Sequence, residues 1–350
     1  MIHASLHIDR RGPSPPRSYK AFVIGSFCLL ALGVLGFATL LLLLGRIGML
    51  PPPPLTANAC MDEKFKFLAE RDLRGTDLIA VGSSVTWRNL DVGRFERAGL
   101  ATKALNAAPC YLHLSETAYY TEFLLTHMKH VEEVVAVLAP RDFEQCASPK
   151  DEFFSTSLAG AYVFGHLPST PIYLANLKPK KFVRDIFRIK AMRNNPLHPL
   201  TLRMDGYGNG PLRIRGSWMP EPAVADMCFS ALSELESVVH ARGAQLIVAS
   251  FPMHPDWLET HDPDGQLVPS LEARMRAALR LPTTLFFSGD QADTGALEHA
   301  DAVHLLWDSA IEYTHRLTDL VAAARKLQPG HRSQRSTSGA PAPLRRPIQP

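Results

Sequence analysis

The chain contains no C-x-x-C pair and no His-Glu-x-x-His run, so its cysteines and histidines miss the spacings that hold structural or catalytic zinc. His254, Asp256, His261 and Asp262 are the nearest thing to a ligand cluster, and they too lack metal spacing. No metal and no cofactor are expected. The glycines of Asp205-Gly206-Tyr207-Gly208-Asn209-Gly210 have no strand pattern before them and no helix pattern after, which excludes a dinucleotide fingerprint. Acidic residues are missing from 328–350 and number one, Asp9, in residues 1–50. The net charge of +3 therefore averages two basic ends over a body, residues 51–327, that is acidic. The pI of 8.6 belongs to the ends, and the acidic body argues against a nucleic-acid-binding face.

Charge is also absent from Ala21 to Gly45, a run rich in Leu, Val, Phe and Ala. At about 1.5 Å per residue it outreaches the roughly 30 Å of a bilayer core. Arg10, Arg11, Arg17 and Lys20 precede it and only Arg46 follows closely, so residues 1–20 are assigned to the cytoplasm and the body to the far side. Ala57-Asn58-Ala59 before Cys60 has the form of a signal-peptide cleavage site, but the apolar run exceeds a signal h-region and Pro51–Pro54 separates the two. Residues 21–45 are therefore read as a signal anchor and 46–60 as a proline-rich spacer that lifts the body off the headgroups. Residues 328–350, basic and almost without large apolar side chains, are read as disordered.

Export makes Cys60, Cys110, Cys146 and Cys228 an even set in a disulfide-permissive compartment, with Cys28 left in the membrane. Of the three pairings, Cys110–Cys146 with Cys60–Cys228 is preferred. Cys110 and Cys146 each follow a strand and would lie at the same end of a parallel sheet.

Between 61 and 327 continuous apolar runs alternate with helical stretches. Strands are expected at Asp77–Val81, Thr102–Leu105, Val134–Leu138, Gln245–Ser250 and Thr283–Phe287. Helices are expected at Asp62–Asp72, Asp91–Ala98, Ser115–His130, Ala223–Arg242 and Trp307–Lys326. The pattern predicts a three-layer, flavodoxin-like α/β fold, a parallel sheet of about five strands with helices on both faces, plus the one N-terminal transmembrane helix. The stretch 151–222 breaks the alternation and reads as a helical insertion beside the site. Such sheets carry their sites at the carboxyl ends of strands.

That edge holds Gly82-Ser83-Ser84-Val85-Thr86, a tight turn out of the first strand, where backbone N–H groups at a helix start can hold developing negative charge. Far along the chain, Asp301-Ala302-Val303-His304 lies between the last strand and the last helix. A serine hydroxyl needs a base within hydrogen-bond reach, and that imidazole needs a carboxylate to fix its tautomer. Asp301 and His304 can do both from one loop. His254, after the fourth strand, is a further substrate-contact candidate at the same edge. Trp87 is read either as a sugar-stacking residue or as a buried one in the next helix.

These blocks resemble the SGNH/GDSL hydrolase superfamily, in which a Gly-Asp-Ser-x-Thr-like block follows the first strand and an Asp-x-x-His block precedes the last helix. The resemblance covers roughly 75–145 and 240–326 and implies Ser84 as nucleophile, His304 as base and Asp301 as its orienter, with Ser83 in place of the family's Asp. Two middle blocks depart from the family. Asn106-Ala107-Ala108-Pro109-Cys110 lacks the oxyanion-hole glycine, leaving the Ala108 N–H as substitute donor. Ala139-Pro140-Arg141-Asp142 puts Arg141 where the family has Asn, with Asp142 beside it. The layout is also similar to the membrane-anchored branch of this superfamily that assists acylation of cell-envelope polymers. That similarity implies an inner-membrane, single-pass serine esterase or O-acyltransferase acting on acyl esters, acetyl foremost, of an envelope polysaccharide, and a membrane-bound O-acyltransferase as partner. The competing expectation is an inactive SGNH scaffold that binds carbohydrate or assembles a modification complex.

Overall fold

The computed structural model of the chain describes residues 17–146, 153–293 and 295–327. The expected disordered tail, and the start of the insertion at 151–152, lie outside the described residues. The chain divides into two compact units, Met1–Leu50 and Pro51–Pro350.

Among its described residues the first unit holds one helix, α1 (Arg17–Arg46), whose apolar stretch Tyr19–Arg46 runs 28 residues at a mean hydropathy of 2.7. It is long and apolar enough to cross a membrane.

The second unit begins with α2 (Ala59–Ala69), β1 (Leu78–Ala80), α3 (Ser84–Asn89), α4 (Gly93–Arg97), β2 (Ala104–Asn106), α5 (Leu114–His127) and β3 (Glu133–Leu138). A 3-10 turn, Pro140–Phe143, leads to α6 (Thr156–Val163), α7 (Ser169–Ala175) and α8 (Pro179–Asn194). Then come α9 (Met227–Ala241), β4 (Gln245–Ser250), α10 (Pro255–His261), α11 (Leu267–Ala278), β5 (Leu285–Phe287) and α12 (Gly289–Ala292). The hairpin β6 (His299–Asp301) and β7 (His304–Leu305) and the helix α13 (Trp307–Leu327) complete the unit.

Strands β1 to β5 form one parallel sheet in the order β2-β1-β3-β4-β5. The continuous apolar runs have this shape because both faces are covered. Ile79, Val134, Ala136, Leu246 and Val248 join one core with residues of α2, α5, α9 and α11, while Leu78, Ala80, Val135, Val137, Ile247 and Ala249 join the other with α4, α10 and α13. The period-two alternation of strand side chains divides the two cores. Chain order reverses beside β1, so a crevice opens between the carboxyl ends of β1 and β3, where such sheets bind ligands.

Both disulfides differ from the expected pairing. Cys60 bonds Cys110 and Cys146 bonds Cys228, with Cα–Cα distances of 6.0 and 5.3 Å. The expected Cys110–Cys146 bond fails on sheet order: β1 lies between β2 and β3. Strand ends two places apart are ~10 Å from each other, beyond the Cα–Cα reach of a disulfide. Each of those cysteines pairs instead with a helix above its loop. The Asn58 side chain at the start of α2 donates to the Cys110 carbonyl at 3.3 Å, and the Ala225 N–H before α9 donates to the Phe143 carbonyl at 2.8 Å. Two disulfides are the chemistry of an oxidising, extracytoplasmic compartment.

The insertion is helical over α6 to α8 and irregular over 195–226. Pro51, Pro52 and Pro53 are buried, and the Tyr173 hydroxyl of α7 donates to the Pro51 carbonyl. The prolines are packed into the body, where the sequence suggested a free spacer.

Candidate active site

Gly82 leaves β1 at φ +136°, and a Cβ there would stand 2.3 Å from the Thr86 Oγ1. Only glycine makes this turn. Ser83 then caps α3, its hydroxyl accepting the Val85 N–H at 3.1 Å, and Ser84 becomes the first helical residue. The Thr86 hydroxyl accepts the Val137 N–H at 3.0 Å and donates to the Val137 carbonyl at 2.9 Å, which pins the helix to β3. The Ser84 N–H, at the first turn, has no intrahelical acceptor to use.

The β6–β7 hairpin brings the other two groups. His304 Nδ1 lies 2.8 and 2.9 Å from the two Asp301 carboxylate oxygens, and His304 Nε2 lies 2.9 Å from the Ser84 hydroxyl. A proton on Nδ1, held by Asp301, leaves Nε2 as acceptor for the serine proton. Asp301 Oδ1 also accepts the Val303 N–H at 3.1 Å, so its rotamer is fixed by its own turn. Ser84, His304 and Asp301 thus come together as the spacing predicts.

The clamp that holds hairpin to helix was not visible in the sequence. Asn89, fully buried at the end of α3, donates to the Val303 carbonyl at 2.8 Å and accepts the Leu305 N–H at 2.7 Å. A single Asn brackets His304 from both sides. Its signal in the chain is only a polar residue at the end of a short apolar stretch.

Two basic side chains, Lys64 of α2 and Arg88 of α3, are buried here. Lys64 donates to the Asn106 and Gly208 carbonyls at 2.9 and 2.8 Å. Arg88 donates to the Gly210 and Thr201 carbonyls at 3.0 and 2.5 Å and stacks on Trp87 at 3.7 Å. Burial pulls the Lys64 ammonium well below its ordinary range, helped by repulsion from Arg88, and burial draws Arg88 down to about 9. The glycine-rich loop serves this packing: a Cβ on Gly208 would come within 2.5 Å of the Asn106 carbonyl, and one on Gly210 within 2.5 Å of the Trp87 ring. Trp87 is a buried residue of α3 and donates from its indole to Gly208.

The opposite wall comes from the loops after β2 and β3. The Ala108 N–H, the expected substitute donor, is already given to the Asn106 side chain at 3.2 Å. Arg141 stacks on Trp218 with its guanidinium carbon 4.8 Å from the ring centre and reaches Glu144 at 3.3 Å. Trp218 in turn stacks on His304, the ring centres 6.2 Å apart. Trp218 rides on a strap beside the triad hairpin, where the Gly216 N–H donates to Ala300 and the Trp218 carbonyl accepts the Ala302 N–H. It is the one tryptophan of the insertion, and no periodicity marks it.

Asp142 accepts the Ala139 N–H at 2.8 Å, and its other oxygen is buried without a hydrogen-bond partner. Burial pushes this carboxyl up to about 7, against the pull of the Ala139 N–H, the Ser83 hydroxyl and the Arg141 guanidinium. Burial, with the Arg141 cation adding, lowers the His113 imidazole. The ring of His254 is committed elsewhere: Nδ1 accepts the Asp256 N–H at 3.0 Å to cap α10, and the ring stands edge-on to His299 at 5.1 Å.

Among the described residues no three His, Cys, Asp or Glu side chains converge as metal ligands. No family model matches the chain, and neither a curated protein nor a solved structure matches it.

Proposed function

We propose that this chain is an SGNH-type serine esterase or O-acyltransferase, anchored in the inner membrane by α1 with its amino terminus cytoplasmic and its body exported. Its substrates are acyl esters, acetyl foremost, of an envelope or extracellular carbohydrate. The observation that carries the reading is His304 bridging Ser84 and Asp301 at 2.9 and 2.8 Å, on the sheet edge where such folds bind ligands.

In this mechanism the Ser84 oxygen attacks the acyl carbonyl while His304 Nε2 takes its proton, and Asp301 stabilises the imidazolium. The Ser84 N–H, at the start of α3, faces the developing oxyanion, with the Arg141 guanidinium as the candidate second donor. Collapse breaks the ester bond, and His304 returns the proton to the leaving alcohol. Water or a sugar hydroxyl then gives its proton to His304 and attacks the acyl-serine; collapse breaks the Ser84–acyl bond, His304 returns the proton to the Ser84 oxygen, and the carboxylic acid or the new sugar ester leaves. No cofactor enters these steps. A membrane-bound O-acyltransferase is the donor-side partner that the family resemblance suggests.

A second reading, a scaffold that binds carbohydrate without turning it over, is favoured by the Ala108 N–H being spent on Asn106. Losing one oxyanion donor costs about 3 kcal/mol in barrier height, roughly a hundredfold in rate. Intact mass of the detergent-solubilised chain after exposure to an activated acetyl ester separates the two. An acetyl adduct on wild type or on His304→Ala, absent from Ser84→Ala, supports the enzyme. No adduct, together with no Ser84-dependent ester turnover, supports the scaffold.

A further inference from the structure

Helix α8 is amphipathic with its apolar ridge on the wrong side for a free-standing domain. Its inner face is already satisfied: Asp185, Ile189 and Met192 are buried at helical spacing. The outer face carries Lys180, Val183, Arg184, Phe187 and Arg188, all exposed, with Phe187 at 67% and Val183 at 57% of their full accessible surface. Leu174 in α7 and Leu177 in the connection add exposed apolar surface. A phenylalanine and a valine standing in water, bracketed by three cations, is the pattern of a helix that lies in a membrane interface.

Charge separates this segment from the rest of the body. Residues 169–200 hold Lys178, Lys180, Lys181, Arg184, Arg188, Lys190 and Arg193 against one acid, Asp185. Lys181 and Arg184 lie beside Asp185, and Arg193 pairs with Glu63 at 2.6 Å. Lys178, Lys180, Arg188 and Lys190 have no acidic partner among the described residues. Within an acidic body, this helical hairpin carries a run of cations around its exposed apolar side chains.

The hairpin is also tied to the first residue of the second unit. Tyr173 of α7 donates to the carbonyl of Pro51, which follows Leu50 directly. A groove of about 550 Å³ has Pro51, Pro52 and Pro54 on one side and Leu177, Lys178, Lys181 and Phe182 on the other. If α1 spans a bilayer, chain connectivity keeps this hairpin within reach of the headgroups.

We propose that the outer face of α8 docks on an anionic lipid surface. Phe187 and Val183 enter the headgroup–acyl boundary, and Lys180, Arg184 and Arg188 meet lipid phosphates. Charge complementarity favours lipid over a protein partner, since cations flanking an apolar ridge match the layering of phosphates over acyl chains. The inference rests on the anchor reading of α1 and is independent of the ester chemistry.

The test uses the full chain in lipid nanodiscs. Cys28→Ser removes the free thiol, and Val183→Cys supplies one site for an environment-sensitive fluorophore, with Ser237→Cys on the exposed face of α9 as control. In discs containing phosphatidylglycerol the Val183 label brightens several-fold and shifts to the blue, and the Ser237 label does not. Lys180→Glu, Arg184→Glu and Arg188→Glu together return the Val183 signal to the control level. A Val183 label as wet as the Ser237 label in every disc overturns the proposal. Burial that ignores both lipid charge and the charge reversal also overturns it, and dependence on the number of chains per disc would then assign the face to a second copy. A chain that never enters discs overturns the anchor and this docking together, whereas acyl-serine formation without lipid contact overturns the docking alone.

Discussion

On the Ser84 side of the cleft the polar side chains are bonded in detail: Thr86 to Val137, Asn89 to Val303 and Leu305, Asp301 to Val303 and His304. On the facing side His113 Nδ1, Ser115 Oγ and Asp142 Oδ1 are buried without partners, and Arg141 rests on an aromatic ring. Satisfied groups rigidify a wall, and unsatisfied ones cost stability that a ligand or water can return. The first wall is built to hold a hydroxyl, an imidazole and a carboxylate in register. The second leaves three buried polar atoms without that support.

Breaking the first wall at its centre has the largest expected effect. On the esterase reading, Ser84→Ala or His304→Ala abolishes acyl turnover, and Asp301→Asn lowers it about ten-thousandfold by misplacing the His304 tautomer. Steady-state rates on an activated acetyl ester, with thermal melting to check folding, measure this. A catalytic rate that survives Asp301→Asn would mean the triad geometry is not the working one.

Arg141 sharpens the comparison from the other side. If its guanidinium is the second oxyanion donor, Arg141→Gln lowers kcat about a hundredfold with little change in KM, and Arg141→Lys recovers part of the loss. A rise in KM alone would make the residue a substrate contact.

Asn89→Ala tests the clamp. It strands the Leu305 N–H and the Val303 carbonyl, each worth about 1–3 kcal/mol when buried unpaired. Chemical denaturation should show a loss of that size, and the hairpin's looser hold on His304 should lower the rate about tenfold, a smaller effect than losing a catalytic group.

The smallest effect lies away from the site. Burial pushes Asp62 up to about 8, although it accepts the Leu55 and Thr56 N–H groups at 3.1 and 2.7 Å. In the unfolded chain the same carboxyl titrates near ~4, so the folded state binds more protons in between. Its raised folded pKa therefore makes stability fall as pH rises from about 4 to about 8, and flatten above. Asp62→Asn keeps both accepted hydrogen bonds and removes the titration. Melting temperature measured across that range should decline less in the variant than in wild type.

What the sequence showed and what it hid follow from the range of the forces involved. The five strands were legible because burial on both faces writes continuous apolar runs, and Gln245–Ser250 is found at the residues expected. The triad was legible because Ser84 leaves the first strand and Asp301 and His304 share one short hairpin. The disulfides were not, because pairing depends on β1 lying between β2 and β3, and strand order is not written in any single run. Asn89, Lys64 and Arg88 were hidden for a related reason. Each satisfies backbone groups more than forty residues away in sequence, and nothing local marks such a partner. Short helices α10 and α11 passed unnoticed between β4 and β5, and the strap bearing Trp218 has no repeat to betray it.

The 220 residues that separate Ser84 from His304 also set an order of events. A chain made from its amino terminus presents the serine first, together with its turn and its capped helix. The imidazole arrives only after all five strands of the main sheet have been synthesised. Until then the hydroxyl is an ordinary alcohol. The order of synthesis thus leaves an incomplete or stalled chain with the hydroxyl but not its imidazole, and the Ser84–His304 contact forms only once the β6–β7 hairpin has closed on α3.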